Sequence, residues 1–145
     1  MVRYLELTRE MIVKACPTVV GHLDKIKIQN IDNKFFNETD AWYQQEVKKT
    51  IDVIAESGAI VEVNTRGIYQ NKCTTTYPSP WVLEYILQKN IPITLSTDAH
   101  HSDDLISEFT NTAVMLAQMG FQKLTILHHN RWQPYSFNAN GIILP

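Results

Sequence analysis

Short apolar runs rich in β-branched residues alternate along the chain with longer stretches that have a helical period. Apolar runs bounded by polar residues or glycine predict buried strands, and apolar residues spaced three and four apart predict amphipathic helices. Such alternation predicts an α/β fold in which parallel strands are joined by right-handed helical crossovers. The predicted strands are 18–24, 59–64, 91–95 and the short 124–127, and the predicted helices are about 4–16, 40–57, 80–90 and 104–120.

The connections between these elements differ in length. Residues 25–37 carry scattered apolar side chains without a sustained period, which predicts a long loop over the sheet. The polar residues 65–78 predict a second loop, and the chain from Arg131 onward is predicted to be a tail. We find no linker, repeat or low-complexity tract, so the sequence predicts a single domain over 1–145.

Composition excludes several classes of partner. A formal net charge of -2 lacks the positive footprint of a protein that binds nucleic acid or an anionic membrane. No stretch approaches the roughly 20 apolar residues of a membrane span, and the first ten residues lack the apolar core of a signal peptide. The two cysteines, Cys16 and Cys73, are too few for a disulfide framework and fit a reducing compartment. We therefore expect a cytoplasmic protein.

Polar side chains follow three of the predicted strands. Asp98 and His100 come after the run 91–95, His22 ends the first strand, and Glu62 and Asn64 end the second. Because parallel strands share one carboxyl edge, these groups should meet there. A carboxylate and neutral imidazoles suit a divalent ion such as zinc or manganese. The alternative is that Asp98 and His100 are turn residues, the first capping a helix and the second facing solvent.

Five short segments carry a resemblance to a known family. They are Val20-Gly21-His22-Leu23-Asp24, Glu62-Val63-Asn64-Thr65, Tyr77-Pro78-Ser79, Ser96-Thr97-Asp98-Ala99-His100 and Gly120-Phe121. In this order and at these separations, over about residues 19–120, they resemble the carboxyl-terminal half of a histidinol phosphatase of the PHP (polymerase and histidinol phosphatase) superfamily. The resemblance implies the carboxyl-terminal portion of a distorted TIM-like β/α barrel, with parallel strands and flanking helices.

The resemblance also implies a reaction and a set of residues. The reaction is metal-dependent hydrolysis of L-histidinol phosphate in histidine biosynthesis. His22, Asp98 and His100 match ligands of zinc, manganese or iron, and Asp98 and His100 are thereby catalytic candidates. Arg66 is the candidate for binding phosphate, since a guanidinium matches two phosphoryl oxygens, and Asn64 would orient substrate. The alternatives are that Arg66 is an exposed loop residue, that Asn64 caps a loop, and that Glu62 is a structural carboxylate.

The departures from the family pattern are as informative as the match. The His-x-His motif and further ligands of the family's first half are missing, and a complete barrel needs on the order of 250 residues. The adjacent histidines His128 and His129 are expected to lie on the surface. We therefore expect a domain that lacks the amino-terminal half of the barrel and self-associates through an open strand edge. The alternative functions are another PHP-type phosphoesterase, such as a protein-tyrosine phosphatase, and a non-catalytic α/β fragment.

Overall fold

A computed structural model describes residues 1–144, which form two three-stranded sheets and five α-helices. The helices and strands, in chain order, are α1 (Val2–Ala15), β1 (Val19–Val20), α2 (Ala41–Ser57), β2 (Ile60–Asn64), α3 (Arg66–Tyr69), α4 (Pro80–Gln88), β3 (Ile93–Ser96), α5 (Phe109–Met119), β4 (Lys123–His128), β5 (Arg131–Asn138) and β6 (Gly141–Ile142).

The first sheet is parallel, with the strand order β1-β2-β3. Val20 pairs with Val61, and Asn64 at the end of β2 pairs with Ser96 at the end of β3. This register aligns the carboxyl ends of the three strands at one edge. The predicted parallel α/β architecture is confirmed for this part of the chain. Residues 1–144 do not form a closed barrel.

Local sequence accounts for the boundaries of the main helices. Helix α2 begins after Asp40 and ends at Gly58, whose φ of 71° is left-handed and therefore suits glycine. Helix α4 begins after Ser79 with Pro80 in its first turn, where the absence of a proline N–H costs nothing. Helix α1 ends at Ala15 and is capped by Cys16, just before Pro17, as predicted.

The core lies between the parallel sheet and the helices that join its strands. Val61 and Val63 of β2 have no exposed surface, because β2 is the central strand and is covered by helices. Helices α1 and α2 pack against each other, and α2 also packs on α4. Their buried side chains include Leu5, Ile12, Ile51, Ile54, Leu83 and Ile86.

The carboxyl-terminal region departs from the sequence-based prediction. Residues from Arg131 do not form a tail: β5 pairs antiparallel with β4, and β6 pairs with β5. The run Arg131–Asn138 alternates polar and aromatic residues around Pro134, which hid its strand character. Helix α5 begins at Phe109 instead of Asp103 or Asp104, because the chain first forms a 3₁₀ turn over Ser102–Asp104.

The two predicted loops contain short helical turns. Residues Lys25–Gln29 and Ile31–Asn33 are 3₁₀ helices, and the second loop begins with the four-residue helix α3. Such short helices bury too little apolar surface to show a period in the sequence. Within residues 1–144, no helix is both long and apolar enough to cross a membrane.

A buried ion pair joins these two loops behind the carboxyl edge of the sheet. Asp24 accepts hydrogen bonds from Lys27 Nζ at 3.2 Å and from the Ser79 N–H at 2.8 Å. The same Lys27 Nζ donates to the Thr76 carbonyl oxygen and to Ser79 Oγ, both at 2.6 Å. The side chains of Asp24 and Lys27 are only 1% and 6% exposed, so water screens the pair little.

We expect Lys27→Met to lower the free energy of unfolding by about 3–5 kcal/mol at neutral pH, because a buried carboxylate loses its counter-charge. Burial raises the pKa of Asp24, and Lys27 opposes that rise. Without Lys27 the pKa rises further above its ordinary 3.8, so stability is retained at acidic pH and lost as the pH increases. Urea denaturation at acidic and neutral pH measures this difference.

The control for this prediction is Lys123→Met, which removes an exposed lysine from β4. We expect it to change stability by no more than about 0.5 kcal/mol at either pH. Two outcomes would show that the Asp24–Lys27 pair does not hold the loops together. One is an equal decrease in the free energy of unfolding in both variants, and the other is a decrease in Lys27→Met that does not depend on pH.

The expected self-association through an open edge stays a prediction. Among residues 1–144, β1 pairs with β2 alone, so its other edge is unpaired. Next to it, Tyr4 contacts the His22 carbonyl oxygen and lines an apolar cleft that includes Phe35, a side chain 68% exposed.

We expect the chain to form dimers in light scattering and Phe35→Ser to weaken them. The control Leu127→Ser, which replaces a 58% exposed side chain on β4, should not weaken them. A wild-type monomer at micromolar concentrations would contradict the prediction.

Candidate active site

Four chain segments meet at the carboxyl edge of the parallel sheet. His22 follows β1, Asn64 ends β2, Arg66 begins α3, and Asp98 follows β3. Their side chains are partly accessible except for that of Asn64, which is fully buried. The sheet therefore brings together groups that are up to 76 positions apart in the sequence, as the parallel register requires.

His22 lies at the centre of the cluster. Its Nδ1 is 3.1 Å from Glu62 Oε2, and its Nε2 is 3.4 Å from Asp98 Oδ2. Its backbone has a φ of 55°, a left-handed conformation that costs roughly 1–2 kcal/mol for a residue with a Cβ. The His22 N–H donates to Glu62 Oε2 at 3.1 Å, which stabilises this turn and directs the ring to the sheet edge.

A tight turn presents Asp98. Its φ of 53° is also left-handed, a conformation that aspartate tolerates better than most residues. Ser96 Oγ accepts from the Asp98 N–H at 3.2 Å, and the Tyr69 hydroxyl donates to the Thr97 carbonyl oxygen at 2.9 Å. Partial burial raises the pKa of the Tyr69 phenol, so the hydroxyl stays a donor at neutral pH. Two neighbouring elements thus hold the Asp98 turn in place.

Arg66 connects the two sides of the site. Its Nη1 is 3.4 Å from Asp98 Oδ2 and donates to the Asp98 carbonyl oxygen at 2.5 Å. The Arg66 N–H donates to Asn64 Oδ1 at 2.9 Å, which fixes the start of α3. The arginine side chain is 18% exposed, so most of its surface is covered by these contacts. Its role in binding phosphate stays a prediction.

His100 is the outermost member of the cluster, with 68% of its side chain exposed. Its Nδ1 contacts Arg66 Nη1 and lies 3.9 Å from Asp98 Oδ1. The same Nδ1 lies 2.9 Å from the Asp98 carbonyl oxygen, and Arg66 Nη1 is also 3.2 Å from His100 Nε2. His100 therefore contacts both Asp98 and Arg66 at the exposed side of the cluster.

The donor types fit a divalent cation, and their present contacts do not form a coordination shell. Among residues 1–144, no group of three or more His, Cys, Asp or Glu side chains is arranged to hold a metal ion. The reason is visible in the contacts: His22 Nε2 faces Asp98 directly, and the guanidinium of Arg66 contacts both Asp98 and His100. A cation would have to replace these contacts to be bound by the three side chains.

Sequence reasoning did not select Tyr69, which supports the Asp98 turn. Its only sequence signal is its position three residues after Arg66, on the same face of α3. Glu62 was expected at the carboxyl edge, with a structural carboxylate as the alternative, and in the structure it contacts His22. His128 lies at the distant β4–β5 turn, where its Nδ1 contacts the Tyr135 hydroxyl at 2.8 Å.

Comparison with known proteins shows similarity to two proteins. The chain is 27% identical over 100 residues to a probable histidinol-phosphatase of Schizosaccharomyces pombe, a match that covers 67% of this chain and 32% of the other. It is 26% identical over 116 residues to a probable histidinol-phosphatase of Deinococcus radiodurans, covering 79% of this chain and 40% of the other. No family model matches the chain. The chain thus spans less than half the length of these relatives.

Proposed function

We propose that this chain is part of a metal-dependent phosphomonoesterase of the histidinol phosphatase type, which converts L-histidinol phosphate and water to L-histidinol and phosphate. The observation that carries the proposal is the meeting of His22, Asp98, His100 and Arg66 at the carboxyl edge of a parallel sheet. The two similar proteins named probable histidinol-phosphatase support it.

The charges of the site favour a cation as the cofactor. Glu62 and Asp98 supply two carboxylates, and Arg66 supplies one guanidinium, so the cluster has an excess of negative charge when the histidines are neutral. A phosphomonoester carries close to two negative charges at neutral pH. A bound divalent ion would reverse the local sign and allow the phosphate to approach.

Zinc, manganese or iron is the proposed cofactor, with His22, Asp98 and His100 as its protein ligands. When bound, such an ion would polarise phosphoryl oxygens and lower the pKa of a bound water, so that no side-chain nucleophile would be needed. Arg66 would bind phosphoryl oxygens, since its planar guanidinium offers several donors in a fixed geometry. Asn64 would position Arg66 through the hydrogen bond from the Arg66 N–H to its Oδ1.

For the fold, we propose that β1, β2 and β3 correspond to the carboxyl-terminal portion of a distorted TIM-like barrel of the PHP type. The support is the parallel strand order, the site at the carboxyl edge, and the 32% and 40% of the relatives' lengths that the match covers.

The free thiols Cys16 and Cys73 support a cytoplasmic location.

The second candidate function is a non-catalytic α/β fragment or module. The absence of a preformed group of three metal-binding side chains in residues 1–144 favours it. Binding of a metal ion to the site distinguishes this candidate from the first.

The first test measures bound metal after purification without chelators. We expect about one zinc, manganese or iron ion per chain and its loss in His22→Asn, because this change removes an imidazole ligand. The matched control is His129→Asn: both histidines have left-handed backbones, with φ of 55° and 48°, which asparagine also tolerates. Wild-type protein without metal would leave the non-catalytic candidate standing.

The second test concerns phosphate binding by Arg66. In a metal-loaded chain that hydrolyses histidinol phosphate, we expect Arg66→Lys to raise KM at least about tenfold, because the bidentate donor geometry is lost. Arg131→Lys, at the exposed first residue of β5, is the control and should leave KM unchanged. Equal KM values in the two variants would remove Arg66 from the substrate site. Preferential hydrolysis of phosphotyrosine peptides would favour another PHP-type phosphoesterase.

A further inference from the structure

The carboxylate of Glu62 contacts His22 at two atoms. Glu62 Oε2 accepts a hydrogen bond from the His22 backbone N–H at 3.1 Å, and the same oxygen lies 3.1 Å from the ring Nδ1. The Glu62 side chain is 15% exposed, compared with 36% for His22, so the carboxylate lies on the inner side of the ring. The other ring nitrogen, Nε2, faces the site.

Two carboxylates compete for the proton of a neutral His22 ring. Asp98 Oδ2 is farther from Nε2, at 3.4 Å, and its charge is partly balanced by Arg66 at the same distance. Among residues 1–144, Glu62 has no lysine or arginine partner and is closer to the ring. The stronger field therefore acts on Nδ1 and favours the proton there.

The side-chain amide of Asn64 acts in the opposite direction. Asn64 Oδ1 accepts from the Arg66 N–H, which turns the amide nitrogen Nδ2 toward His22 Nδ1 at 3.4 Å. An amide N–H can only donate, so Asn64 alone would make Nδ1 an acceptor and move the ring proton to Nε2. That tautomer presents an N–H to the site and has no lone pair there for a cation.

We propose that Glu62 is a positioning residue that holds His22 in its Nδ1–H tautomer and keeps the Nε2 lone pair directed at the site. A carboxylate that orients a ligating histidine in this way typically changes metal affinity 10–100-fold when it is removed. The metal-binding consequence rests on the proposed function, whereas the tautomer itself does not.

Gly21 supports this assignment because it leaves room for the carboxylate. A Cβ at residue 21 would lie 3.0 Å from Glu62 Oε2, which is closer than ordinary van der Waals contact. An alanine at this position would push the carboxylate away from His22 and leave its charge intact. Gly21→Ala therefore perturbs the contact between Glu62 and His22 without changing either of these two side chains.

The deciding experiment is ¹⁵N NMR of the histidine rings in the metal-free full chain, at a pH where His22 is neutral. We expect the Nδ1–H tautomer of His22 in the wild type and a shift to Nε2–H in Glu62→Gln, because Asn64 is then unopposed. Gly21→Ala should shift the balance in the same direction by a smaller amount. The control Glu56→Gln, which removes an exposed carboxylate from α2, should leave the tautomer unchanged.

A His22 ring that is Nε2–H in the wild type, or one whose tautomer is the same in Glu62→Gln, would overturn the proposal. Zinc titration of the same variants gives a separate readout, in which Glu62→Gln should bind about 10–100-fold more weakly than Glu56→Gln. If zinc does not bind the wild type, the proposed function fails, and the NMR result still decides the role of Glu62.

Discussion

The hydrogen-bonded ladder of the parallel sheet is the interaction on which the rest of the structure depends. Strand β2 pairs on both sides and is fully covered at Val61 and Val63, so its position is set by the core. The register then fixes where β1 and β3 end, and those ends carry His22 and Asp98. A shift of one residue in either pairing would turn alternate side chains to the opposite face and separate the cluster.

The loops at this edge need further support, because short turns alone do not hold side chains in place. The buried Asp24–Lys27 pair ties the segment after β1 to Ser79 at the start of α4. The left-handed backbones of His22 and Asp98 place both side chains close to each other at some cost in conformational energy. Strained residues of this kind persist where surrounding contacts over-determine them, and Glu62 and Ser96 provide such contacts here.

Charge balance links the geometry of the site to its proposed chemistry. In the structure, Asp98 is balanced by Arg66 and faces both His22 and His100, so its carboxylate is shared among three partners. A divalent ion would compete with these partners for the same oxygens, and binding would free Arg66 for a phosphate group. The two similar proteins named probable histidinol-phosphatase match the chain over 32% and 40% of their own length.

The sequence by itself determined the parallel α/β order and the strands that carry polar groups at their ends, because apolar periodicity is a local property of the chain. It did not reveal β5, whose exposed alternation includes Pro134, nor helix α3, which is too short to have a period. Only the tertiary structure decided that Arg66 faces Asp98 and that Glu62 faces His22, since these contacts join residues 32 and 40 positions apart. These contacts form because the register of the parallel sheet brings the strand ends together. No local sequence pattern encodes that register.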